Sequence, residues 1–250
     1  MSSLAIRSLH ASVAGLEILR GVDLEIRSGE VHALMGRGDY EVTGGSVTVD
    51  GEELLGLPTW QRANRGLFLG MQYPVAVPGV PVGELLASAV RSRGGDASAL
   101  DTLLASEATR LAVGDEFLAR GVNDEFSGGE QKRMETLQLA VLKPSFAILD
   151  EIDSGLDVDA LRDVSRRVEA MTSEDDLGVL AITHYSRLLT ELRPDRVHVL
   201  MAGRVVASGG PELADQLEET GYEGLAAELG VDALSVEQPD EADPFADPGF

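Results

Sequence analysis

The spacing of hydrophobic residues divides this 250-residue chain into three stretches. Up to about residue 71, short runs of alternating apolar and polar residues are typical of β-strands. From 74 to about 143, leucines recur at three- and four-residue intervals, which indicates helices. From 146 onward, short apolar strands alternate with amphipathic helices, and that order favours a mainly parallel sheet. The pattern therefore predicts an α/β fold.

The same pattern locates the individual elements. Strands are expected at 4–12, 17–27, 31–35, 46–50, 67–71, 147–149, 179–183, 197–201 and 205–207. Helices are expected at 59–66, 82–91, 98–113, 130–142, 158–171, 186–192 and 211–220. We expect one domain at 1–230, with a β arm near its start and a helical subdomain at about 74–143. Residues 231–250 are rich in Pro, Asp and Glu, and we expect them to form a disordered acidic tail.

Composition restricts the class of function. The net charge of −23 argues against nucleic-acid binding, which requires a basic surface. The chain has no Cys, so it can form neither a disulfide nor a thiolate metal site of its own. No run of 18 apolar residues occurs, and residues 1–7 do not form a signal peptide. We therefore expect a cytoplasmic protein that does not insert into a membrane.

Two acids follow a buried strand. Asp150 and Glu151 come directly after the apolar run 146–149. An acid at the carboxyl end of such a strand is well placed for Mg²⁺, and its neighbour can accept a proton from an attacking water. Two surface acids at a strand end would look the same in isolation. The segment Ser154-Gly155-Leu156-Asp157 that follows favours the catalytic interpretation.

A second motif opens a helix. Ser127, Gly128, Gly129 and Glu130 precede an amphipathic segment that Pro144 ends. The exposed N–H groups and the dipole of a helix N-terminus form a site for anions. A plain N-cap with glycines is the simpler alternative for an isolated Ser-Gly-Gly.

A phosphate-binding loop is missing from the sequence. The pattern G-x-x-x-x-G-K-[ST] supplies backbone N–H groups and a Lys to the phosphates. This chain has two lysines, Lys132 and Lys143, and neither follows a Gly or precedes Ser or Thr. The strand 31–35 ends at Gly36, where such a loop would begin. The chain then continues with Arg37 to Gly45.

The two motifs together resemble a known family. Residues 123–133 resemble the signature motif of ABC-type ATPases, and 146–157 resemble their Walker B strand, catalytic glutamate and D-loop. This resemblance implies an ABC-type P-loop NTPase core, with a mainly parallel sheet, an antiparallel β arm and a helical subdomain. By comparison with the family, roughly fifteen residues are absent after Gly36, enough for the loop and the first turns of its helix.

The resemblance also implies a set of site residues. Glu151 corresponds to the general base and His184 to the switch histidine that contacts the γ-phosphate. Asp150 and Gln72 correspond to the Mg²⁺ ligands. The implied nucleotide contacts are Gly36, Gln72, Ser127, Gly128, Gly129, Glu130 and Asp157. The implied cofactors are ATP and Mg²⁺, with binding reduced in a chain that has no Walker A loop.

Several segments resemble one branch of the family, the SufC-type ATPase of the Suf iron–sulfur cluster assembly system. They are residues 40–45, 66–74, 151–161, 182–185 and 209–214. This branch implies a soluble scaffold of the SufB and SufD type as partner. It also implies ATP-dependent dimerisation of two ATPase subunits.

Four interpretations remain open at this point. The chain is a Suf-system ATPase with intact or impaired function, or a non-hydrolysing interaction subunit of the same complex. It is alternatively the ATPase subunit of an ABC transporter. The fourth interpretation is an internal deletion in the sequence after Gly36, because the chain passes directly from the end of a strand to a segment that normally follows the loop and helix.

Overall fold

The computed structural model describes residues 2–13, 15–35, 41–183 and 186–230. Its strands are β1 (Ser3–Val13), β2 (Leu16–Arg27), β3 (Val31–Met35), β4 (Glu41–Val49), β5 (Glu52–Glu53), β6 (Leu67–Gly70), β7 (Val77–Pro81), β8 (Gly121–Val122), β9 (Phe146–Asp150), β10 (Gly178–Ile182), β11 (Arg196–Met201) and β12 (Arg204–Gly209). Its helices are α1 (Thr59–Asn64), α2 (Val82–Ser92), α3 (Leu100–Arg110), α4 (Asp115–Leu118), α5 (Gly128–Leu142), α6 (Val158–Glu174), α7 (Ser186–Glu191) and α8 (Glu212–Leu229).

The centre of the fold is a six-stranded sheet in the order β12-β11-β3-β10-β9-β6. The strands β11, β3, β10, β9 and β6 run parallel, and β12 pairs antiparallel with β11 at the edge. A second sheet, in the order β2-β1-β4-β5, is antiparallel. The predicted α/β fold with a mainly parallel sheet and an antiparallel β arm is confirmed.

The two faces of the central sheet are covered differently. On one face, Val31, Ala147, Leu149, Val179 and Ala181 pack against α5, α6 and α7. Towards β11 and β12, α8 continues this layer. On the other face, β1, β2 and β4 of the antiparallel sheet pack over the central strands. The core is therefore a sheet between a helical layer and a second sheet.

The second face is less well covered near the carboxyl ends of its strands. Phe146, the first residue of β9, is 0% exposed, and Leu180, in the middle of β10, is 3% exposed. Leu34 and Ile182, which pair near the carboxyl ends of β3 and β10, are only partly buried, and so is Ile148, which pairs with Leu180. These three side chains form an apolar row on this face.

The segment between β6 and β9 contains the helices α2 to α5. Their apolar sides form a separate cluster around Leu86, Leu104, Met134 and Leu137. One difference from the prediction lies here: residues 77–81, where neither a strand nor a helix was expected, pair as β7 with β8. Prolines are tolerated in this pair because it is a two-stranded edge in which few N–H donors are needed.

The predicted elements are present, and their ends shift by a few residues. The largest change is α8, which continues to Leu229 across a kink at Gly221, where φ is 69°. Glycine adopts this conformation without a steric penalty, so the second part of the helix can pack back through Leu225 and Ala226. None of the described helices is long and apolar enough to span a membrane.

Candidate active site

The acids Asp150 and Glu151 lie where the parallel strand β9 ends. Asp150 is its last residue, and Glu151 follows in a left-handed backbone conformation with φ of 44°. The Glu151 N–H donates to the Ile182 carbonyl at the end of β10, at 2.9 Å. Non-glycine residues rarely adopt positive φ, and such residues are frequent at functional sites. This turn places both carboxyl groups at the carboxyl edge of the sheet.

Gln72 lies beside Glu151. The Gln72 side-chain amide donates a hydrogen bond to the Glu151 carboxylate. The two strands that lead to these residues, β6 and β9, are neighbours in the sheet and parallel. The structure therefore brings together a candidate metal ligand and the candidate general base.

The helix N-terminus at Ser127 is a complete capping box. Ser127 accepts from the Glu130 N–H, and the Glu130 carboxylate accepts from the Ser127 N–H at 2.7 Å. The hydrogen bonds from the Ser127 hydroxyl and backbone lower the pKa of Glu130. Ser127 and Gly128 are exposed, so this end of α5 faces solvent. The sequence predicted this helix start, and the cap geometry agrees with both interpretations of the motif.

The segment that contains Asp157 approaches the start of α5. Asp157 caps α6 by accepting from the Ala160 N–H at 2.7 Å. A Cβ added at Gly128 would lie 3.8 Å from the Gly155 carbonyl, and one at Gly129 would lie 3.8 Å from Leu156. The loop before α6 thus lies close to the N-terminus of α5, at distances that a Cβ would meet as ordinary van der Waals contacts.

Two of the candidate residues, Gly36 and His184, lie outside the described residues. A nearby residue is described: the Thr183 hydroxyl lies 3.3 Å from both carboxylate oxygens of Asp153, and Thr183 is 1% exposed. This contact joins the end of β10 to the turn after Glu151. Periodicity alone does not predict it, because Asp153 and Thr183 are 30 positions apart.

Both lysines are engaged in other contacts. The Lys132 ammonium is 3% exposed, donates to the Met71 carbonyl and lies 3.4 Å from the Glu135 carboxylate. Lys143, at the other end of α5, pairs with Asp175 at 2.7 Å. Sequence reasoning noted Lys132 as one of two lysines but missed its contact with Met71 and Glu135.

Comparison with curated proteins finds close relatives across the chain. "Vegetative protein 296" of Bacillus subtilis is 46% identical over 257 aligned positions, covering 95% of this chain and 98% of the relative. A protein of Escherichia coli named "Probable ATP-dependent transporter SufC" is 44% identical, covering 88% and 97%. A "Probable ATP-dependent transporter" of Synechocystis is also 44% identical, covering 89% and 95%. No family model matches the chain.

Solved structures support the same fold. An ATP-binding subunit of an ABC transporter superposes with a TM-score of 0.74 over 91% of this chain, at 21% identity. A dimeric bacterial ABC transporter cassette superposes with a TM-score of 0.70 over 83% of the chain, at 18% identity. At these identities the superpositions establish the fold alone. Taken with relatives at 44–46% identity over nearly their whole length, they show that the chain belongs to the ABC ATPase family.

Proposed function

We propose that this chain is the ATPase-type subunit of a Suf-like iron–sulfur cluster assembly complex, and that the printed sequence binds and hydrolyses ATP poorly. The first part is carried by one observation, the 44% identity to the SufC protein over 97% of that protein's length. The contact between Gln72 and Glu151 supports it, because it assembles the expected end of the site.

The weak nucleotide binding follows from the lack of a phosphate-binding loop. The alignment to the B. subtilis protein spans 257 positions but takes in 95% of 250 residues, about 238. About twenty aligned positions therefore have no residue in this chain, by the difference of those two lengths. A loop and the start of its helix have this length. Without them the phosphates lose a Lys and several N–H donors.

The remaining site residues fit part of a Mg–ATP site. Asp150 and Gln72 offer the oxygen ligands that Mg²⁺ prefers, and bound Mg²⁺ would neutralise charge on the phosphates. Glu151 is positioned to accept a proton from water. The N–H groups at the start of α5 face solvent, so they can donate hydrogen bonds to an anion that a second subunit holds. The part of the chain that the structure describes provides no unengaged lysine for the phosphates.

We propose a docking surface for a partner beside the site, formed by exposed apolar side chains. Leu69, in β6, is 55% exposed, and Tyr73 and Val75, in the segment after β6, are 78% and 65% exposed. Trp60 on α1, which packs beside β6, is 63% exposed. Large exposed apolar patches mark interaction sites. We assign it to a soluble scaffold subunit of the SufB or SufD type, so that the scaffold lies next to Gln72.

The test uses two measurements on the chain as printed and on a version with a Walker A loop and helix inserted after Gly36. Calorimetric titration with Mg-ATP should show binding weaker than millimolar for the printed chain and micromolar binding for the restored one. The matched control carries the same insert with alanine in place of its lysine, and it should bind as weakly as the printed chain. Micromolar binding by the printed chain would contradict the proposal.

The second measurement is co-purification with candidate partners. We expect both versions to bind a soluble SufB/SufD-type scaffold, and Tyr73→Ser together with Val75→Ser to abolish that binding. Ser98→Ala, on the exposed surface before α3, is the control and should bind normally. Recovery only with a membrane fraction would instead favour the ATPase subunit of an ABC transporter.

A further inference from the structure

We infer that Lys132 and Glu135 are positioning residues for the candidate active site: they clamp both backbone groups of Met71 and thereby hold Gln72 against Glu151. The inference deepens the proposed function, on which its catalytic meaning rests. The clamp itself is a property of the folded chain, and it can be measured without nucleotide.

The clamp acts on both backbone groups of one residue, Met71, which belong to two successive peptide units. The Met71 N–H donates to the Glu135 carboxylate at 2.8 Å, and the Met71 carbonyl accepts from the Lys132 ammonium. Both side chains come from consecutive turns of α5, and they lie 3.4 Å apart. Met71 lies just beyond the end of β6, so it has no strand partner for these groups. Two side chains of α5 therefore replace the sheet ladder at this point.

The clamp is buried. Lys132 is 3% exposed and Glu135 is 7% exposed. Burial raises the pKa of Glu135, opposed by the Lys132 charge and the hydrogen bond from Met71. The Glu135 carboxyl group also lies against Gly70, where a Cβ would be 3.6 Å from it, an ordinary contact, and 3.1 Å from the Leu149 side chain. A buried ion pair of this kind is weak evidence for stability, but it can fix one local arrangement.

The clamp connects both halves of the candidate site. Lys132 and Glu135 both lie on α5, which begins at the Ser127 capping box. The residue that follows Met71 in the chain is Gln72. Gln72 in turn donates to Glu151. The geometry of α5 thus determines where Gln72 lies relative to Glu151. In this arrangement a displacement of α5 is transmitted directly to the Gln72–Glu151 contact.

The test replaces the pair by apolar residues of similar size, Lys132→Met with Glu135→Leu. Removing both charges together leaves no unpaired buried charge, so the fold should be retained. Hydrogen exchange of the Met71 amide should become about tenfold faster or more, since its hydrogen bond to the Glu135 carboxylate is lost. Exchange in β9 and β10 should not change. Unchanged exchange at Met71 in a folded variant would overturn the inference.

The matched control is another buried ion pair that does not contact Met71. Arg167 and Glu107 are 5% and 4% exposed and join α6 to α3. The variant Arg167→Met with Glu107→Leu should leave the exchange of the Met71 amide as it is in the unaltered chain. Faster exchange in this control would mean that any buried pair has the effect, and it would overturn the specific role of Lys132 and Glu135.

A measurement on the unaltered chain decides the question if the apolar pair does not fold. In low denaturant, the Met71 amide should exchange through the same opening as the amides of α5 around Glu135, with the same denaturant dependence. Exchange as fast as at the exposed residues Tyr73 and Ala76 would overturn the clamp.

The loop-restored chain supplies the catalytic readout. There, Lys132→Met with Glu135→Leu should lower kcat about tenfold while KM changes less than about twofold, because Gln72 is misplaced and the other nucleotide contacts are kept. An equal rise in KM would show general loss of the fold. If the restored chain were inactive, the proposed function would fail while the exchange result would still stand.

Discussion

The side chain of Gln72 donates a hydrogen bond to the carboxylate of Glu151, although 79 positions separate the two residues. The contact exists because β6 and β9 are adjacent parallel strands whose carboxyl ends meet at one edge of the sheet. It places an amide that can bind a metal or a water next to the candidate general base. This relationship gives the first prediction.

In the loop-restored chain, Glu151→Gln should lower the rate of ATP hydrolysis by about 10²–10⁴, because the proton acceptor is lost. Calorimetric titration should show unchanged ATP affinity, since Gln keeps the size and most contacts of Glu. The control is Glu169→Gln on α6, which should hydrolyse ATP at the unaltered rate. An unchanged rate in Glu151→Gln would show that the base lies elsewhere.

Restoring the loop and its helix should also stabilise the domain. Leu34, Ile148 and Ile182 are only partly buried on the face where that helix would lie. Covering each 100 Å² of apolar surface contributes about 2.5 kcal/mol, and this raises the Tm of a domain of this size by about 5–10 °C. Scanning calorimetry of both versions without nucleotide makes the comparison. Equal Tm values would mean that the apolar row is already sufficiently covered.

The buried pair between α3 and α6 should be costly to break. Arg167 contacts both carboxylate oxygens of Glu107, at 2.6 and 3.0 Å. Arg167→Ala leaves a buried carboxylate without its main partner, and we expect a loss of about 3–5 kcal/mol in the free energy of unfolding. Arg167→Met with Glu107→Leu should recover most of that loss. Urea titrations measure both, and a loss below about 1 kcal/mol for Arg167→Ala would contradict the prediction.

A buried histidine pair should make stability depend on pH. His32 and His198 stack with ring centroids 5.2 Å apart and nitrogens 3.0 Å apart. The Glu30 carboxylate accepts from His32 Nε2 at 3.1 Å, and the Ser208 hydroxyl lies 2.8 Å from His198 Nδ1. The pKa of His198 is lowered from 6.5 to about 4. Burial is the largest cause, and the electrostatic effects of the neighbouring His32 and Arg196 act in the same direction. The folded state thus keeps His198 neutral, while the unfolded state takes up a proton below pH 6.5.

Because the folded pKa is the lower one, the stability contributed by neutral His198 is complete above pH 6.5 and is lost as the pH falls towards 4. For this reason the free energy of unfolding falls by about 2 kcal/mol between pH 7 and pH 5. His198→Gln should remove that part of the pH dependence in urea titrations. His10→Gln, at the surface with 39% of the His10 side chain exposed, is the control and should keep it. If the free energy of unfolding depended on pH in the same way in His198→Gln and in the unaltered chain, His198 would not be the source of this pH dependence.

The sequence by itself determined the elements and their order. Alternation of apolar residues located β1, β2 and the central strands, and helical spacing located α2, α3 and α6, because these signals depend only on neighbours within a few positions. The start of α5 was equally legible, since the Ser127 and Glu130 cap is a local pattern. The order of the motifs then indicated the family that the relatives confirmed.

Only the tertiary structure decided which distant side chains meet. The contacts of Gln72 with Glu151, of Lys132 with Met71 and of His32 with His198 join residues 79, 61 and 166 positions apart. Such contacts depend on strand order and on the packing of α5 against the end of β6. Local periodicity carries no information about either, because it reports which side of an element is buried and not what that side packs against.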